Sequence, residues 1–166
     1  MFENPFSKHE IETRLTRVRE ALAARKLDAA VFASPENVFW LTGLDHWGYF
    51  APHLLAVPVD GKPVLVTRAM ERVSVEKQVT SADFRGHPDS ETAADMMARV
   101  LLESKLAGKS VGIERWTSGM SLGLGRSLQE QAGARWEDVS NLVDAMRLVK
   151  SAEEQALMRK AAAVTD

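Results

Sequence analysis

The chain has 166 residues, 45% of them hydrophobic and 27% charged, and it contains no cysteine. That length suits one α/β domain, and the missing thiol excludes disulfide frameworks, thiolate metal sites and cysteine nucleophiles. With 21 Lys and Arg against 23 Asp and Glu, the net charge of -2 argues against a phosphate-backbone or anionic-membrane partner.

The amino end carries Glu3, Lys8 and Glu10 without a continuous apolar stretch, and no later run reaches bilayer length. The expectation is a cytoplasmic protein without a signal peptide or membrane span. Ser7 followed by Glu10 is a capping-box pattern, and Ile11, Leu15, Val18 and Leu22 then recur at helical spacing. They predict a first helix that runs to Lys26. Asp28 to Ala33, bounded by Ser34-Pro35, predicts a strand buried on both faces. A second element from Glu36 to Leu41 ends at Gly43. His53 to Val59, Asp60-Gly61 and Pro63 to Thr67 then read as a hairpin, with Pro58 expected at an edge or a non-bonded position.

Met70 to Val79 suits a half-buried helix and Ala82 to His87 a short strand. Ser90 is the expected cap of a helix in which Ala93, Met97, Val100 and Leu101 share a face, ending near Gly108. A strand over Ser110 to Glu114, a helix over Met120 to Gln131 and a strand over Arg135 to Val139 complete the alternation. The whole predicts a three-layer α/β/α domain with a mixed, mostly buried sheet. Ser151 and Glu154 form a second capping box, from which Leu157, Met158, Ala161 and Val164 continue a helix up to Asp166. This predicts a domain over residues 1–150, with residues 151–166 as the first helix of a further unit. On that reading, removal of residues 152–166 would cost little stability.

Chemistry is sparse. His9, His46, His53 and His87 show no spacing that aims two imidazoles at one ion, so no metal or cofactor site is expected in this chain. Gly119, Gly123 and Gly125 lack the remainder of a phosphate loop or dinucleotide fingerprint, and Glu153-Glu154 suits the first turn of a helix. The distinctive segment is Trp40 to His53, where Trp40, His46, Trp47, Tyr49, Phe50 and His53 gather around Gly43 and Gly48. Such aromatics either cover a core or form a recognition surface. Arg68, at the end of the second hairpin strand, is either a surface arginine or a bidentate partner for a substrate carboxylate.

Three stretches resemble the creatinase / prolidase / aminopeptidase P family. The first runs from Arg14 through Leu27-Asp28-Ala29 to Ser34-Pro35-Glu36-Asn37-Val38 and Leu41-Thr42-Gly43. The second is Asp60-Gly61-Lys62-Pro63 with Leu65-Val66. The third, Asp138-Val139-Ser140, Leu142-Val143-Asp144, Arg147-Leu148-Val149-Lys150-Ser151 and Glu153-Glu154, is similar to the junction between the family's amino-terminal and catalytic domains.

The resemblance implies a ribonuclease H-like, non-catalytic amino-terminal domain. A pita-bread catalytic domain would follow, holding two divalent metals (Mn, Co or Zn) through two Asp, one His and two Glu. None of those motifs occurs in this chain. It also implies a homodimer or higher oligomer in which the loop after Thr42-Gly43 approaches a neighbouring subunit's active site. Trp47, Tyr49, Phe50 and His53, with Arg68, become candidates for shaping that substrate pocket. Pro52 stands where creatinase-like members place an arginine, which argues against creatine.

The full-length activity implied is a metal-dependent, proline-specific peptidase, with an ectoine hydrolase-like or creatinase-like amidine or amide hydrolase as the alternative. A complete small enzyme using His46 or His53, and a free-standing α/β ligand-binding module, are the competing readings.

Overall fold

The computed structural model describes residues 3–45 and 51–165. In chain order the elements are α1 (Lys8–Ala24), β1 (Ala29–Phe32), α2 (Pro35–Thr42), β2 (Leu54–Pro58) and β3 (Val64–Arg68). A 3-10 turn (Ala69–Glu71), α3 (Arg72–Gln78), β4 (Asp83–His87), α4 (Ala93–Glu103) and β5 (Ser110–Ile113) follow. Then come α5 (Leu122–Ala132), β6 (Arg135–Asp138), α6 (Leu142–Arg147) and α7 (Ala152–Thr165). No helix among the described residues is long and apolar enough to cross a membrane.

The six strands form one mixed sheet in the order β4-β3-β2-β1-β5-β6. β1 pairs antiparallel with β2 and parallel with β5; β2–β3 is antiparallel, and β3–β4 and β5–β6 are parallel. All four residues of β1 are buried, as a central strand covered on both faces requires. Alternation sends Phe32, Leu55, Val57 and Leu65 to one face, against Leu15, Val18 and Leu22 of α1, Leu41 of α2 and Val75 of α3. Val31, Leu54, Val66, Val111 and Ile113 face the other way, against Met97 and Leu101 of α4 and Leu128 of α5. The domain is therefore the three-layer α/β/α expected, with each buried Leu, Val or Phe contributing about 1.5–3 kcal/mol of transfer free energy.

Several local expectations are corrected. Thr92, not Ser90, caps α4: its side chain accepts from Asp95 N while Asp95 reaches back to the Thr92 amide. α1 and α4 stop short of Lys26 and Gly108, because Lys26 (φ 57°) and Lys105 (φ 58°) turn the chain into the left-handed region just past each end. Residues 59–63 link β2 to β3, with Gly61 at φ 107° where a side chain would be strained. Pro58, by contrast, meets its expectation: it lies in an interior strand but at a non-bonded position opposite Ala29, because the neighbouring Val59 amide is the one that donates to Asp28 O, at 3.0 Å. The short α6 escapes periodicity, since it has six residues and Asn141 at its start makes no side-chain cap.

Five strands run one way and β2 the other, so the carboxyl ends of β1, β3, β4, β5 and β6 share one edge with the entry to β2. Open α/β sheets bind ligands at such an edge.

Candidate functional site

His53 enters β2 at this edge, and the structure places it inside the protein, 2% exposed, with Nε2 2.9 Å from Glu71 Oε2. The Thr67 hydroxyl, also buried, donates to the same carboxylate oxygen at 2.7 Å. Thr67 and Glu71 meet because the 3-10 turn directly after β3 folds the chain back over the strand's last residues. On the other side of residues 46–50, the Asp45 amide donates to Gln78 Oε1 at 2.8 Å. Both ends of that segment are thus tied to buried polar groups of the 3-10 turn and α3. Trp47, Tyr49 and Phe50, with His46, lie outside the described residues.

Arg68 already has a partner: its Nε and Nη2 lie 3.1 and 2.9 Å from Asp89 Oδ1. Its side chain is about two-fifths exposed, so this pair is screened and of small energetic weight. The sequence brought His53 and Arg68 to the same sheet edge, but they join separate polar networks. Trp40, in contrast, belongs to the core.

A second network, which sequence reasoning missed, is centred on Glu114, the residue after β5. Its carboxylate is 2% exposed and accepts the amides of Ala33 and Ser34, both at 2.7 Å, together with the Asn37 side-chain amide. Asn37 Oδ1 in turn accepts from Arg147 at 2.9 Å. Burial pushes the Glu114 pKa above the ordinary glutamate range, against the three N–H donors, which pull it down. The network fixes the β1–α2 turn from which α2 leads towards residues 46–50. The only hint in the sequence was a carboxylate at the predicted end of a buried strand.

The resemblance assigns its pair of metal ions to a following catalytic domain, not to this one. Among the described residues no three His, Cys, Asp or Glu side chains converge as a metal site.

Residues 14–149 match the family described as the Creatinase/Prolidase N-terminal domain. The chain belongs to that family. A hydrolase/peptidase of Sinorhizobium fredii is 28% identical over 174 residues, 97% of this chain and 44% of that protein. The ectoine hydrolase of Halomonas elongata is 28% identical over 167 residues, 95% of this chain and 42% of the hydrolase. Among solved structures, a prolidase from Thermococcus sibiricus superposes with a TM-score of 0.76 at 17% identity, covering 96% of this chain and 42% of the prolidase. This creatinase/prolidase N-terminal domain therefore spans less than half the length of the curated relatives it matches.

Proposed function

We propose that this domain is the non-catalytic part of a metal-dependent hydrolase. It helps to assemble subunits, and the segment around residues 46–50 shapes the substrate pocket of a catalytic unit on a neighbouring subunit. The observation that carries this reading is the double anchoring of that segment, by Gln78 at Asp45 and by Glu71 at His53. A recognition loop needs fixed ends if its side chains are to position a substrate, because small displacements cost rate steeply. His53 is assigned as a positioning residue, and Trp47, Tyr49 and Phe50 as pocket walls. Arg68 serves the pocket only by exchanging Asp89 for a substrate carboxylate.

The two divalent metals (Mn, Co or Zn) belong to the catalytic unit, which begins with α7 after residue 150. Proline-containing peptides are the proposed substrates. A cyclic amidine or related amide is the second reading, favoured by the ectoine hydrolase among the relatives at 28% identity.

The test is complementation in the full-length protein. Trp47→Ala subunits with an intact catalytic unit are mixed with catalytically dead subunits that retain Trp47. The expected result is recovery of activity in mixed oligomers, while Trp47→Ala alone loses turnover or substrate affinity. Absence of recovery in verified mixed assemblies would show that the loop does not act across subunits.

A further inference from the structure

β4 ends on His87, at the sheet edge where the carboxyl ends of the strands gather. The side chain is 6% exposed, and its Nδ1 lies 3.0 Å from Pro88 O. A carbonyl oxygen can only accept, so Nδ1 carries the proton and Nε2 of the neutral ring is left as an acceptor. That Nε2 is buried and has no hydrogen-bond partner among the described residues. Folded proteins pair nearly all such atoms, so an orphaned imidazole nitrogen points to a group that the ring meets from outside the chain.

His87 borders a cavity of about 380 Å³ whose other walls include the heads of two helices, Ala93 and Ala94 of α4 and Gly123 and Leu124 of α5, together with Pro52. The Thr92 hydroxyl caps the Asp95 amide and the Ser121 hydroxyl caps the Leu124 amide. The amides of Ala93, Ala94 and Gly123, which a helix cannot satisfy internally, therefore have no partner among the described residues. Ser121 and Ser127 also line the cavity; they accept from the Leu124 amide and from Gln131 Nε2, so their hydroxyl protons remain for a ligand. No Asp, Glu, Lys or Arg lines the space. The acids around the start of α4 are engaged elsewhere: Asp89 with Arg68, Glu91 with Arg99, and Asp95 with Thr92 and Gln131.

Two helix heads with unused N–H groups bind an anion. Nε2 adds a second condition, because the same ligand must bring it an O–H. A phosphate group meets both: inorganic phosphate carries the O–H itself, and a small phosphate ester carries it on its organic part. Sulfate offers charge alone. The volume is more than twice the roughly 150 Å³ that takes up a benzene ring, which leaves room for a small organic group against Pro52 and Leu124.

We propose that this cavity binds a phosphate group through the Ala93, Ala94 and Gly123 amides, with His87 Nε2 accepting an O–H from the same ligand. The inference is independent of the reading of residues 46–50, and either can fail without the other.

NMR titration of the isotopically labelled 166-residue chain with inorganic phosphate and with glycerol phosphate, at constant ionic strength, tests it. Saturable shifts of the Ala93, Ala94 and Gly123 amides and of the His87 ring are expected. Tighter binding of the ester identifies an organic phosphate as the ligand; tighter or equal binding of inorganic phosphate identifies the free ion. Sulfate should bind about tenfold more weakly, the worth of one hydrogen bond to Nε2, and His87→Phe should reduce phosphate to the level of sulfate. Gly123→Asp decides the matter even if His87→Phe does not fold. It places a carboxylate where a Cβ meets no atom within 4 Å, at a helix head that favours negative charge and in place of a weak helix former. It should unfold no earlier than the wild type and bind no phosphate. Shifts that do not saturate, or that saturate only at other residues, overturn the proposal. So does phosphate binding that survives Gly123→Asp, or sulfate that binds as tightly as phosphate.

Discussion

Replacing Glu114 by alanine is expected to lower the free energy of unfolding by about 3–5 kcal/mol, read as a fall in the urea midpoint at constant slope. The carboxylate accepts the amides of Ala33 and Ser34. Ala33 and Ser34 are both buried, so neither amide can turn to bulk water once the carboxylate is gone. Each orphaned buried donor costs about 1–3 kcal/mol, and Asn37 loses a partner as well.

Glu114→Gln should cost less, since one oxygen can still accept both amides. Its new amide group, however, faces the Asn37 donor, and Asn37 cannot exchange its ends without giving up Arg147.

The loss should also depend on pH. The folded pKa of Glu114 lies above its unfolded value, so the native state binds the proton more tightly. The resulting stabilisation is fully present below the unfolded pKa and disappears as pH rises through the folded one. The gap between wild type and Glu114→Ala should therefore widen as pH falls through the upper carboxylate range. A gap that narrowed on acidification would contradict the assigned direction.

The parts of the fold that were legible in the sequence depend on local periodicity. Ile11, Leu15, Val18 and Leu22 marked α1 because all four face the core, and the uninterrupted apolar run of β1 marked a strand with two covered faces. The partners of polar groups were not legible, because they are set by tertiary contacts. The Ser7–Glu10 capping box is half right. Ser7 Oγ does cap the Glu10 amide, but Glu10 turns to Arg14 at 2.9 Å, and the Ser7 amide is taken instead by Glu153, 146 residues away. His53 drew attention as an aromatic beside a glycine-flanked loop, yet what defines its role is Glu71, which sequence gave no reason to select. Trp40 was grouped with the loop aromatics by proximity in sequence, although the helical turn of α2 carries it to the core.

Deleting residues 152–166 is expected to cost about 2–4 kcal/mol, not the small loss anticipated for a terminal helix held by its own propensity. α7 buries no residue of its own, so an argument from apolar area predicts little. The stabilisation lies in its first turn. Glu154 Oε1 accepts the Trp40 indole N–H at 2.8 Å and lies 3.3 Å from Arg14 Nη2, without alignment for a hydrogen bond. Arg14 is 1% exposed, sandwiched between Phe6 at 3.9 Å and Trp40 at 4.8 Å, and its Nη1 donates to Trp40 O at 2.7 Å. Its other carboxylate, Glu10, is part of α1 and remains after the deletion. Loss of α7 therefore leaves the guanidinium with Glu10 alone, without the charges of Glu154 and Glu153, and the Trp40 indole N–H without its acceptor. Breaking one side of a buried charge pair costs about 3–5 kcal/mol, here reduced because Glu10 stays. Glu154→Gln in the intact chain separates the two contributions: it keeps an acceptor for Trp40 but removes the charge, so it should reproduce only part of the deletion. Should both the deletion and Arg14→Met leave the urea midpoint unchanged, the clamp on α7 would carry no stability, and the boundary after residue 150 would be energetically clean.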